Sequence, residues 1–200
     1  MSNINPIKTE LIYASDGAAT AKDTFTSEVT INNSGGMATQ AYLPNDFWQP
    51  KGASSAASRT IRVVARGLAS STGTPSFTFT LRGGSAGSTT APILLGSAAL
   101  ATATGISSVL WTFEGDITLE TIGAPGANST IRGVGTFTAD GYSAATTTRV
   151  LPLFGGAASP GTATTFDATI ANYLNFNVTC TASSGSNSIT LLQFLVYGLN

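Results

Sequence analysis

The run Val109-Leu110-Trp111-Thr112-Phe113-Glu114-Gly115-Asp116-Ile117-Thr118-Leu119-Glu120 decides the fold class of this chain. Its odd positions carry Val, Trp, Phe, Gly, Ile and Leu. After Leu110, its even positions carry Thr, Glu, Asp, Thr and Glu. Side chains on a strand alternate between two faces, while those on a helix return to one face about every 3.6 residues. The pattern predicts a long strand with one core face and one wet face.

Shorter runs repeat the pattern. Ile61, Val63 and Ala65 alternate with Arg62, Val64 and Arg66, and Phe77, Phe79 and Leu81 with Ser76, Thr78, Thr80 and Arg82. Ile131, Gly133, Gly135 and Phe137 oppose Arg132, Val134 and Thr136, and Leu174, Phe176, Val178 and Cys180 oppose Tyr173, Asn175, Asn177 and Thr179. Weaker strands fall at residues 8–13, 28–31 and 147–153. Residues 190–197 differ in being apolar on both sides, with Leu191, Leu195 and Tyr197 opposite Leu192, Phe194 and Val196. A strand of that kind belongs in the middle of a sandwich or beneath another subunit.

Between these runs lie clusters of Gly, Ser, Thr, Pro and Asn, such as Ser70-Ser71-Thr72-Gly73-Thr74-Pro75 and Gly123-Ala124-Pro125-Gly126. These are turn chemistries. The expectation is an all-β chain, an antiparallel β-sandwich of jelly-roll type with about eight to nine strands. Residues 1–25 form an N-terminal arm or first strand, and residues 26–200 a single domain.

Composition narrows the function. Ala, Gly, Ser and Thr make up 103 of the 200 residues, charged residues only 10%, and the net charge is −1. There is no histidine, and Cys180 is the one cysteine. Histidine-based triads, Cys/His zinc sites and disulfide scaffolds are thereby excluded. The nine basic residues are scattered, with Arg59, Arg62 and Arg66 the loosest of clusters. Nucleic-acid binding, which needs clustered cations, is not expected. The N-terminus has no basic segment followed by an apolar run, so no secretory signal is predicted, and residues 189–199 are too few to span a bilayer. No membrane partner is expected.

Glu114, Asp116 and Glu120 share one strand face, where neighbours two apart lie roughly 6.5–7 Å from one another. That separation is near what inverting glycosidases use, but alternation alone explains it, and a wet strand face is the preferred reading. The stretch Gly83-Gly84-Ser85-Ala86-Gly87-Ser88-Thr89-Thr90 lacks the lysine and following helix of a phosphate loop and reads as a hairpin loop. Cys180 reads as packing. No catalytic residue, metal ligand or cofactor is assigned. The segment from Tyr42 to Lys51 gathers Tyr42, Phe47 and Trp48 with two prolines. It reads as a corner packed on its own core, or as an apolar anchor for a protein or a sugar.

The Trp111-Thr112-Phe113-Glu114-Gly115-Asp116 run, the segment from Asn172 to Thr179, Ser186-Asn187-Ser188-Ile189-Thr190 and the apolar C-terminal strand resemble small structural proteins of tailed bacteriophages, of the jelly-roll capsid cement or decoration kind. The resemblance covers the chain from about Arg59 onward. It implies a non-enzymatic homotrimer, made in the host cytoplasm, that sits on the virion's outer capsid, binds the major capsid protein and bridges neighbouring capsomers. The competing expectation is a phage tail-fibre or lectin-like module that binds a host glycan. Exposed apolar character nominates Ile4, Ile7, Phe47, Trp48, Leu192, Phe194 and Val196 as interface residues.

Overall fold

A computed structural model describes residues 9–37, 40–45, 47–48, 59–126, 129–140, 148–155 and 164–199. Among them there is no α-helix, only a short 3₁₀ turn at Gly35–Met37. The strands, in chain order, are β1 (Thr9–Ser15), β2 (Val29–Thr30), β3 (Ala41–Leu43), β4 (Thr60–Ser70), β5 (Ser76–Gly84), β6 (Ile93–Ser97), β7 (Leu100–Ala101), β8 (Val109–Thr121), β9 (Ser129–Ala139), β10 (Arg149–Phe154), β11 (Thr164–Phe166), β12 (Asn172–Cys180) and β13 (Ser188–Leu199). The count is thirteen rather than the expected eight to nine. The surplus comes from β3, β6, β7 and β11, each too short to show a period.

Every strand pair among the described residues is antiparallel. β1 pairs with β13, β2 and β3 with β12, β4 with β8, and β5 with β6. The antiparallel strands lie in two layers, a β-sandwich of the jelly-roll kind. One layer runs β1-β13-β4-β8, the other β6-β5-β12 with β2 and β3 at its edge. β9 and β10 extend the first layer beyond β8, and β10 then pairs with β6, so the sheet passes without a break from one layer to the other.

Aromatic rings fill the space between the layers. Phe79 of β5 stacks on Phe137 of β9 at 4.7 Å and meets Trp111 of β8 at 5.0 Å. Phe176 of β12 lies 4.9 Å from Phe113, 5.8 Å from Trp111 and 6.0 Å from Phe194 of β13. All six are fully buried, as the alternation predicts for β5, β8, β9 and β12. Where β10 closes onto β6, the inner face is kept flat by glycine. A Cβ at Gly115 would come within 2.7 Å of Leu95, and one at Gly133 within 2.3 Å of the Leu94 carbonyl. Their absence lets β6 lie directly on β8 and β9.

The C-terminal strand corrects the sequence reading. β13 loses register against β4 between Leu191 and Gln193, and this bulge at Leu192 reverses the parity of the residues after it. Phe194 and Val196, expected on an outer interface face, point inward and are fully buried, while Leu192 is half-buried. Phe47 and Trp48 are buried too. Trp48 packs edge-on against Phe47 at 5.3 Å and Phe166 at 5.7 Å. The Arg59 guanidinium sits 4.0 Å over the Phe47 ring and donates to the Phe47 carbonyl at 2.8 Å. The packed-corner reading of these two residues is therefore the one the structure bears out. Ile4 and Ile7 lie outside the described residues.

The aromatic layer makes Phe176 the most consequential single side chain. Phe176→Ala is expected to cost about 3–5 kcal/mol in urea denaturation. Val134→Ala, on the wet face of β9, should change stability by less than about 0.5 kcal/mol.

Candidate functional site

Three surface regions carry side chains that chemistry or recognition can use. The first is the outer face of the larger layer. The alternation that sends Trp111 and Phe113 inward sends Glu114, Asp116 and Glu120 outward, as the sequence predicts. Arg62 stands opposite Asp116 on β4 and donates to both its oxygens, Nε to Oδ1 at 2.7 Å and a terminal nitrogen to Oδ2 at 2.9 Å. Nε also lies 3.8 Å from Glu114. These residues line a shallow, open depression of about 280 Å³ with Val134 and Thr136 at its rim. Both carboxylates thus face a guanidinium instead of an empty cleft. The Asp116 carboxylate holds the Arg62 guanidinium above the usual arginine range.

Two other arginines of this layer meet acceptors on neighbouring strands. Arg66 donates to Gln193 at 2.7 Å, and Arg132 to Glu120 at 2.6 Å. Arg59, with its contacts to Phe47, turns toward the exposed Glu10 at 3.4 Å; burial pulls its guanidinium below the ordinary value, with Glu10 acting the other way. The arginines that stood close in sequence therefore go to separate acceptors and make no cationic patch. On the same layer, Leu110, Val134 and Val150 stand 47%, 50% and 61% exposed on adjacent strands. Sequence reasoning missed these as candidates, because a single apolar residue on a polar face carries no signal of its own.

The second region is a polar clamp on the outer face of the smaller layer. Asn175 and Asn177 point outward from β12 yet are buried, because the loop after β5 folds back over them. Asn175 accepts from the Gly87 backbone and from Gln40, both at 2.8 Å, and donates to the Ser85 carbonyl at 2.9 Å. Asn177 donates to the Ser88 carbonyl at 3.1 Å. Alongside, Arg82 grips Glu28 at 2.8 and 2.7 Å, and Thr80 donates to the same carboxylate. Asn32 fills the gap between β2 and β3 by bonding the β12 backbone at Leu174 and Phe176 like a further strand residue. The glycine-rich stretch is thus the hairpin loop expected, fastened by asparagines that read as wet. Cys180 is buried, its thiol 3.2 Å from the Ala182 carbonyl, in a packing position.

The third region is a pair of tyrosines. Tyr42 of β3 and Tyr173 of β12 are direct cross-strand partners on the outer face, with ring centroids 5.3 Å apart and planes tilted by 55°. Tyr42 is 49% exposed. Among the described residues, no three of His, Cys, Asp and Glu come together as metal ligands.

Fold and faces together define an all-β jelly-roll module whose larger outer face carries cross-strand polar pairs. No family model matches the sequence, and no curated protein matches it. Among solved structures, the chain is similar to the CBM2 module of the evolved Dit of Lactobacillus casei BL23 phage J-1, at 12% identity over 97% of each chain and a TM-score of 0.35.

The clamp has an acid dependence. Burial pushes the Glu28 carboxyl up, but the hydrogen bonds from Arg82, Thr80 and Asn177 and the charge of Arg82 outweigh it, and the net shift is below the ordinary 4.5. A carboxyl lowered in the folded state adds stability above its unfolded value, and that stability is lost as pH falls below 4.5 through the folded value. Glu28→Gln is expected to cost about 1–2 kcal/mol at neutral pH and little in acid, read by urea denaturation at both.

Proposed function

We propose that this chain is a non-enzymatic virion structural protein, a capsid cement or decoration protein that binds the outer capsid as a homotrimer through the outer face of its larger layer. The observation that carries this reading is the pairing of Arg62, Arg66 and Arg132 with acceptors on neighbouring strands of that face, beside the exposed Leu110, Val134 and Val150. Cations already hydrogen-bonded within one surface cost less to bury under a partner than lone ones, and the exposed apolar side chains of the same face supply the favourable term. A net charge of −1 sets little long-range repulsion against packing many copies side by side. The matched carboxylates also fit a protein that acts by binding and not by acid–base chemistry.

A clip of this kind works by mass action. It binds the assembled lattice and not the dispersed subunits, so it stabilises the lattice by its binding free energy. A cyclic trimer uses one heterologous patch three times around its axis, which needs no change in the fold of the single chain.

Light scattering after gel filtration, with the chain at micromolar concentration, is expected to give three chain masses that persist on dilution. Co-sedimentation with empty capsids of the same virus is expected to saturate. Val134→Asp combined with Val150→Asp should weaken that binding at least tenfold without lowering the melting temperature. A monomer that stays in the supernatant overturns the reading.

A further inference from the structure

We infer that the chain meets a second copy of itself head to tail, with the outer margin of β1 and β13 on one copy packing against the Tyr42 and Tyr173 rings of the next. The inference rests on the homotrimer reading and names the contact that closes the ring.

Away from the proposed docking face, Leu11 and Tyr42 stand 55% and 49% exposed, one on each outer face of the sandwich. β1 is the last strand of the larger layer and lies against β3, at the margin of the smaller one. Leu11 and Tyr42 therefore border the same flank from opposite faces.

On the larger layer, Leu11 is the cross-strand partner of Tyr197, and Ala14 of Leu195. Opposed residues share a face, so these four, with Leu199, make an apolar band along the outer side of β1 and β13. The sequence marks the C-terminal strand as apolar on both sides. One side is consumed by the core through Phe194 and Val196. The other, carrying Leu195, Tyr197 and Leu199, remains partly exposed and is the side suited to lie beneath another subunit.

On the smaller layer, the Tyr42 and Tyr173 rings pack on one another at 5.3 Å, which makes a knob whose rotamers are set before binding. Tyrosine supplies a large contact at a small entropy cost and is favoured at the centres of interfaces. The ion pairs Arg62–Asp116, Arg59–Glu10 and Arg82–Glu28 border the two margins, so those charges enter the contact already paired.

The placement of the two margins favours a ring over a pair. A two-fold contact through either margin leaves the other in water, whereas a head-to-tail ring covers both on every copy. Flat modules around a three-fold axis touch only along the margins nearest that axis, and these margins share one flank. The docking face stays free. Leu11, Tyr197, Arg62, Asp116 and Val134 follow one register row, which puts Val134 four strand spacings, about 19 Å, from Leu11.

Light scattering at micromolar concentration tests the contact. Leu11→Asp and Tyr42→Asp are each expected to lower the trimer fraction at least tenfold, with circular dichroism checking that each variant is folded. The Val134→Asp and Val150→Asp variant should remain trimeric. A bis-maleimide is then applied to Leu11→Cys and Tyr42→Cys chains, whose native Cys180 is buried. Linked pairs are expected only when the two variants are co-expressed. Linkage within either variant alone means a two-fold contact and overturns the inference, as does no linkage in the co-expressed sample. A wild-type trimer that survives both aspartate variants overturns this contact and leaves the trimer reading standing, whereas a wild-type monomer overturns both.

Discussion

The layer of aromatic rings between the two sheets is the contact on which the other features of this fold depend. Trp111, Phe113 and Phe137 come from one layer, Phe79 and Phe176 from the other, and Phe194 from the C-terminal strand. Large rings hold the layers apart by a constant distance, and where that distance must shrink, glycine replaces them. Gly67 shows the same relation from the other side. A Cβ there would fall 2.4 Å from the Trp111 ring, so the indole is seated by the absence of a side chain on β4. Aromatic and glycine positions are thus a single packing solution spread over strands that are distant in sequence.

Outside this layer, the two outer faces are finished differently. The larger layer leaves its polar face open and neutralises it by cross-strand pairs, Arg62 with Asp116 and Arg132 with Glu120. Exposed pairs of this kind add little stability; their effect is on the character of the surface. The smaller layer covers much of its polar face with the chain's own loop, and the covering is fastened by amides whose bonds are made away from water. One side is thus open and cross-paired, the other layered and anchored, with two tyrosines at the margin of the covering.

Much of this is legible in the sequence, because a strand's period of two converts directly into inside and outside. Trp111, Phe79, Phe137 and Phe176 are assigned inward on that ground, and Glu114 and Asp116 outward. The rule fails where an extra residue enters the ladder. At Leu192 the bulge resets the parity, which no local pattern announces, and Phe194 and Val196 change sides. It fails again where a polar strand face is covered from afar. Asn175 and Asn177 carry the same letters whether they meet water or a loop some ninety positions away. Direction is also absent from loops. Tyr42, Phe47 and Trp48 are equivalent as composition, and only the tertiary fold decides which ring is left in solvent.

The passage of the sheet through β10 into β6 has a topological consequence. Two separate sheets present four long edges of unpaired backbone groups, whereas among the described residues the main strand path of this one runs unbroken from β1 to β2. A chain so poor in charge has few of the lysines and acids that usually discourage strands of neighbouring molecules from joining edge to edge. Closure along one flank pairs strands that would otherwise be places where such joining begins. It protects by geometry a surface that composition leaves undefended.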